Sequence, residues 1–429
     1  MPRNSILTAA PQERALLLGL DQERSDELFS AEESLTELGQ LADTAKLTLV
    51  GSAMQKRKRP VTDSYFGDGK VKQWQQWIQS QRVGVVVVDA ELKPRQQRTL
   101  EQRWQTKVID RTTLILDIFA QRARSSAAQL QIELAQLDYL LPRLTRLWQH
   151  FGQQKGGIGL RGPGETQLEV DRRRNRQRAG QIRKRLKKVS SHRQLHRNLR
   201  QSIPAPVLSL VGYTNAGKST LFNQLTHAAV LAEDQLFATL DPTTRQLRLP
   251  NKQTALLTDT VGFIQKLPHS LINAFHATME EVTQATVLLH VVDASHPKAP
   301  EMVQAVQSVL QEIKADQLPQ ILVANKVDQG FTLRWKGFAK KFAVPVCAVS
   351  ALDGSGIDQL LTCIQSQLHA FRHDLNLFVP HQQGDVLAEL MSSGTLAVQT
   401  ADARGVCLQG WLDAAMADKF RSFVQEPGR

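Results

Sequence analysis

The run Gly212-Tyr213-Thr214-Asn215-Ala216-Gly217-Lys218-Ser219 leaves this chain few folds to choose from. It reads G-x-x-x-x-G-K-S, with β-rich residues 207–211 ahead of it and helix-permissive residues 220–225 behind. Strand, glycine loop and helix in that order make a phosphate cradle. The glycines let backbone N–H groups converge on phosphate oxygens, and the helix start adds a partial positive charge. Lys218 can reach the β- and γ-phosphates, and the Ser219 hydroxyl can ligate Mg²⁺. A chance glycine turn is the competing explanation, and eight matched positions in the right context weigh against it.

Three more motifs follow, each at the end of an apolar run: Asp259-Thr260-Val261-Gly262, Asn325-Lys326-Val327-Asp328 and Ser350-Ala351-Leu352. In doubly wound parallel sheets, ligands bind at the carboxyl ends of strands. The order of these motifs is that of a GTPase. The Asp328 carboxylate can accept from guanine N1–H and the exocyclic amine, a donor pair that adenine lacks. Asn325 is expected to orient the loop and touch the base, Lys326 to lay its stem along the purine, and the Ala351 N–H to meet guanine O6. Asp259 is expected to hold Mg²⁺ through water, and the Gly262 N–H to sense the γ-phosphate. Residues 237–244 read as the other switch loop. Thr239 is the first choice for a metal-contacting hydroxyl, with Thr243 and Thr244 as rivals. The expected nucleotide site therefore runs from Gly212 to Thr220, then takes Phe237, Ala238 and Thr239, the D-x-x-G residues, Asn325, Lys326 and Asp328, and Ser350 to Leu352. Lys218, Thr239 and Gly262 are the candidate catalytic residues, with Ser219, Thr239 and Asp259 around the metal. Phe263 stands where Ras-like proteins use a Gln to position water, so slow intrinsic hydrolysis is expected.

The net charge of +12 is concentrated. Residues 171–200 hold 13 Lys/Arg and one Asp, so this segment carries the whole excess. Such a block predicts an anionic polymer as partner. Its alternative is a solvated helix face, but unpaired like charges repel one another along a helix. Ahead of the block, Leu130, Leu134, Leu137, Leu141, Leu144 and Trp148 fall at heptad spacing. Pro142 should kink that helix. A second seam runs through Ala179, Ile182, Leu186 and Val189. Glycine-rich residues 152–164 lie between, which predicts an antiparallel helical hairpin with a glycine tip.

The remaining sequence reads as small α/β units. Residues 1–112 alternate strand and helix signals, as a parallel sheet flanked by helices requires. Gly67-Asp68-Gly69-Lys70 in that unit lacks the spacing of a second phosphate loop. Residues 113–200 form the hairpin, 201–371 the mostly parallel, doubly wound P-loop domain, and 372–429 a small α+β unit with no evident chemistry. Cys347, Cys363 and Cys407 show no C-x-x-C pairing and read as buried thiols in a reducing compartment. No apolar run approaches a membrane span, and a polar N-terminus argues against a signal peptide. A cytoplasmic monomer is expected, with peripheral membrane association left open.

Gly162-Pro163-Gly164-Glu165-Thr166-Gln167-Leu168-Glu169 ahead of the basic helix and Phe237-Ala238-Thr239-Leu240-Asp241 in the switch loop closely resemble the HflX family of translational GTPases. Residues 108–112 (VIDRT) and 133–137 (ELAQL) look like family signatures as well. The likeness covers roughly residues 10–370. It implies Mg²⁺-dependent binding and hydrolysis of GTP to GDP, and nucleotide-dependent docking on the 50S subunit, on 23S rRNA, with splitting of stalled 70S ribosomes. It places Gly156, Gly157, Gly159, Arg161, Gly162 and Gly164 at a tip near the peptidyl-transferase centre. It places Arg172, Arg173, Arg174, Arg176, Arg178, Arg183, Lys184, Arg185, Lys187 and Lys188 on rRNA. Two rival readings are an ATP-dependent RNA helicase or remodeller working through the N-terminal unit, and an adaptor whose basic helix binds acidic protein or lipid.

Overall fold

The computed structural model describes residues 13–22, 28–141, 143, 163–200, 206–227, 236–237, 239, 242–251, 253–266, 281–330, 344–369, 372–392 and 396–424. Contacts divide the chain into two units. The first holds residues 1–189, 233–241 and 263–277; the second holds 190–232, 242–262 and 278–429.

The first unit is built on a parallel sheet ordered β2-β1-β3-β4. Its strands are β1 (Arg14–Asp21), β2 (Thr48–Lys56), β3 (Val85–Val88) and β4 (Lys107–Asp110). The four valines of β3 are all buried, as both faces of a covered parallel sheet demand. Leu16, Leu18, Val86 and Val88 pack with Trp74 and Ile78 of α2 (Asp68–Ser80) and with Leu100 and Trp104 of α3 (Pro94–Trp104). α1 (Ala31–Thr44) starts at Ser30 in a reciprocal capping box with Glu33. α4 (Arg111–Arg122) starts on the Asp110 side chain, which accepts from Thr113 N–H at 2.9 Å.

α5 (Ser126–Leu140) follows, and its buried face differs from the expected one. Ala128, Ile132, Ala135 and Tyr139 are buried, while Leu130, Leu134 and Leu137 are only half-buried. The Tyr139 hydroxyl explains the rotation, because it donates to the buried Asp110 carboxylate and turns that face inward. The helix is described as far as Leu140, ahead of Pro142, whose ring disfavours helical backbone just before it. Leu144, Trp148 and the tip glycines Gly156, Gly157, Gly159 and Gly162, with Arg161, lie outside the described residues, as does the expected reversal of the chain.

α6 (Pro163–Arg200) is a helix of 38 residues, about 57 Å at 1.5 Å per residue. Gly164, expected in the tip loop, is already helical, because Pro163 pre-sets the first turn. Ala179 and Ile182 are buried as the second seam requires, while Leu186 and Val189 are half-buried.

The second unit holds a six-stranded sheet ordered β10-β9-β8-β5-β7-β6. β5 (Val207–Gly212), β7 (Thr254–Asp259), β8 (Val287–Asp293), β9 (Gln320–Asn325) and β10 (Val346–Ala348) are parallel. β6 (Thr243–Arg248) joins the edge antiparallel. It shortens the expected switch loop, since Thr243 and Thr244 sit in this strand. α7 (Lys218–Thr226), α8 (Ala299–Glu312) and α9 (Ile357–His369) cover the sheet. A three-stranded antiparallel sheet, β11 (Arg372–Pro380), β13 (Gly405–Asp413) and β12 (Leu396–Ala401), closes the chain with its own core. The cysteines are free; Cys347 is buried, whereas Cys363 and Cys407 are only partly so. Among the described residues, no helix is long and apolar enough to cross a membrane.

Candidate nucleotide site

The carboxyl ends of β5, β7, β9 and β10 bring the four sequence motifs to one end of the sheet. Gly217 takes φ +87°, and a Cβ there would stand 2.2 Å from Asn325 Nδ2. Only glycine fits, because the loop must turn left-handed under a fixed side chain. The Lys218 ammonium is buried and donates to the carbonyls of Tyr213 at 2.7 Å and Gly212 at 3.1 Å. Burial pulls its pKa down to about 8, against the opposing pull of Asp259. A desolvated lysine in a ring of backbone dipoles is poised for phosphate oxygens.

The Ser219 hydroxyl donates to Asp259 Oδ2 at 2.8 Å, and Asp259 is fully buried. A hydroxyl and a carboxylate side by side are hard oxygen donors of the kind Mg²⁺ takes, so this pair fits the metal. Thr260 is fixed by its hydroxyl on the Leu210 carbonyl, and Val261 is buried. A Cβ on Gly262 would come within 2.9 Å of both Lys218 Nζ and Thr214 Cγ2, so the D-x-x-G turn lies against the phosphate loop. Phe263 is buried beyond it.

Asn325 ties the site together. Its amide donates to the Ala216 carbonyl at 2.9 Å, and its oxygen accepts from Ala351 N–H at 3.0 Å. The Ala351 amide, expected on guanine O6, is thus directed to Asn325 in this structure. Asp328 sits in a short 3₁₀ turn that starts from left-handed Lys326. Lys326 pairs with Asp293 at 2.8 Å. Asp293 escaped the sequence reading; its position at the end of the apolar run 287–293 was the available signal. Ser350 is buried, and Leu352 is exposed at the rim.

In the first switch loop, Phe237 is buried, Thr239 is half-buried and Ala238 lies outside the described residues. Of the rival hydroxyls, Thr244 is engaged with Thr258 at 3.0 Å within the sheet, which removes it as a metal contact in this arrangement. His290 was also missed. It is buried on β8 with neither ring nitrogen bonded, and burial with the nearby Lys218 charge pushes its pKa down to about 3. Its place inside the apolar run 287–293 marks it as buried but assigns it no task.

Elsewhere, the Gly67–Lys70 turn is spoken for. Gly67 N–H donates to Gln55 Oε1 at 2.8 Å, Asp68 pairs with Arg103, and Lys70 donates to Gln73. An acid at the helix start repels phosphate. On α6, Arg178 is bound by Glu133 at 2.6 Å and Arg183 by Asp138 at 2.8 Å. Arg173, Arg174, Arg176, Lys184, Arg185 and Lys188 are exposed.

Comparison with known proteins gives these features a family. Residues 32–120 match the GTP-binding GTPase N-terminal family, 122–200 the GTP-binding GTPase middle region, and 207–326 the 50S ribosome-binding GTPase family. The chain is 40% identical to GTPase HflX of Caldanaerobacter subterraneus over 97% of its own length and 95% of the relative's. It is 46% identical to GTPase HflX of Escherichia coli, covering 82% of this chain and 83% of that one. A solved GTP-binding protein of Sulfolobus solfataricus in complex with GDP aligns over 84% of this chain and 99% of its own, at 23% identity and TM-score 0.45. The phosphate loop, the Asn325 tie and the two HflX relatives lead to one conclusion: this chain is a GTPase and belongs to the HflX family.

Proposed function

We propose that the protein couples its GTP cycle to the large ribosomal subunit, docking through α6 on rRNA, splitting idle or stalled 70S particles and leaving after hydrolysis. The observation that carries this reading is the exposed row of arginines and lysines on one long helix, next in sequence to a guanine-nucleotide domain. Counterion release makes such a stripe bind a phosphate backbone. The stretch Gly156 to Gly164, which leads into the helix, is rich in glycine and suits close approach to folded RNA.

The nucleotide site is assigned as follows. Backbone amides of residues 212–220 cradle the phosphates, and Lys218 neutralises the β- and γ-groups. Ser219 and Thr239 with Asp259 hold Mg²⁺, which supplies charge neutralisation when bound. Gly262 reads the third phosphate, and Asp328 selects guanine. Phe263 cannot orient water, so the ribosome completes the hydrolytic site.

Sedimentation through sucrose with 50S subunits tests this directly. Co-sedimentation should be strong with a non-hydrolysable GTP analogue and weak with GDP, and 70S particles should stimulate hydrolysis. Identical binding with GTP analogue, GDP and no nucleotide would reject the proposal.

A further inference from the structure

Asp293 ends β8 inside the second unit and belongs to none of the four motifs, yet it is built into the base motif next door. In the sheet it stands opposite Asn325, and the Ala294 N–H donates to the Asn325 carbonyl at 2.9 Å. The ends of β8 and β9 are thereby fastened together just ahead of Lys326. The Asp293 carboxylate divides its two oxygens. Oδ1 accepts from the Ser295 N–H at 3.0 Å and from the Ser295 hydroxyl at 2.6 Å, while Oδ2 meets Lys326 Nζ at 2.8 Å. Burial opposes charge on Asp293, but Lys326 and Ser295 together hold its carboxyl below the usual carboxylate range.

Lys326 is thus constrained at both ends. Its backbone is left-handed at φ 63°, a conformation that a lysine adopts only where its surroundings hold it. The Gln329 N–H closes the turn on the Lys326 carbonyl at 3.0 Å. At the other end the ammonium stops on Asp293. The aliphatic stem between these two points is held, where a free lysine would sample many rotamers. Lys326 is only 23% exposed and Asp293 17%, whereas the Arg178–Glu133 pair on α6 is 44% and 37% exposed. Water screens the α6 pair far more than this one.

We propose that Asp293 is a positioning residue for the guanine seat: it holds the Lys326 stem extended, so that a purine ring lies on a surface already in order. The side-chain entropy is then lost on folding, and nucleotide binding does not have to supply it. GDP and GTP carry the same base, so the effect is equal on both. This inference rests on the assignment of the Lys326 stem to the purine plane.

The test is titration of the full-length chain with fluorescently labelled GDP and with a labelled non-hydrolysable GTP analogue. Asp293→Asn should weaken both nucleotides roughly tenfold, and Lys326→Ala at least as much. In the Lys326→Ala background, Asp293→Asn should add less than about twofold, because residues that act as a unit are not additive. Ser295→Ala keeps both charges but frees the carboxylate to turn. It should weaken both nucleotides about threefold, again only while Lys326 is present, and it carries the test if Asp293→Asn does not fold. Equal losses with and without Lys326 would mean a merely structural role and overturn the proposal. So would a loss confined to one nucleotide, or no loss from Asp293→Asn, or from Ser295→Ala where Asp293→Asn does not fold. If Lys326→Ala by itself leaves both affinities unchanged, the purine seat is misassigned and the role of Asp293 falls with it.

Discussion

Asn325 uses both ends of its amide on backbone, one on the phosphate loop and one on the Ser350–Leu352 loop. That makes it a brace, and it explains why Gly217 tolerates no side chain. Gly217→Ala should therefore abolish GDP binding in a fluorescence titration, since its Cβ would overlap the Asn325 amide. Base choice rests instead on Asp328. Asp328→Asn presents a donor where guanine also donates, so GTP affinity should fall at least about a hundredfold while xanthosine triphosphate gains. Direct binding of the two triphosphates measures this. His290 makes a different prediction. Its folded pKa of about 3 lies below the usual value of 6.5, so the unfolded chain binds the extra proton between those limits. Stability is then full above pH 6.5 and declines as pH falls toward 3. The His290 share of that decline has a slope of up to about 1.4 kcal/mol per pH unit. Urea midpoints measured from about pH 4.5 to 7, inside that window, should show a flatter acid limb in His290→Leu.

Elements show where charge and polarity were read well and where they were not. The basic run of α6 was plain in the sequence, but its two acidic ties, Glu133 and Asp138, sit 45 residues upstream of the arginines they hold. Exposed ion pairs of this sort contribute little stability. Arg173, Arg174, Arg176 and Arg185 are exposed and outside those two pairs, so changing them to Gln should leave the thermal midpoint nearly unchanged. Affinity for ribosomal RNA should fall, and the slope of log affinity against log salt should shrink by roughly one for each phosphate left without its arginine. On α5 the heptad count favoured a leucine face, and the buried face proved to be the one bearing Tyr139. Periodicity registers apolar spacing; it does not register a phenol whose hydroxyl has a buried carboxylate to meet. The first two residues of β6, Thr243 and Thr244, were read as part of the switch loop, and the pairing of this strand with β7 places them in the sheet instead.

Across the whole molecule, the buried pair Arg111–Asp89 is the point most exposed to damage. Asp89→Asn would leave the guanidinium buried with half its partners, at a cost of about 3 kcal/mol seen as a lower urea midpoint. The strand-end motifs, the order of strands and helices in the first 112 residues and the location of the surplus charge were all legible in the chain. Each is a local pattern, set by spacing along a strand, a loop or a helix. The signature residues Asp110 and Arg111 were noticed but given no task, because Arg111 meets Ser34 and Glu37 of α1 and Asp89 after β3, and Asp110 meets Tyr139 of α5. Hydrogen bonds and ion pairs between distant segments leave no periodic mark on either one. The motifs for handling a nucleotide were therefore written in order along the chain, whereas the seating of Lys266 on Asp89, and of Asn325 between two loops, came into being only when folding brought side chains remote in sequence within hydrogen-bonding distance.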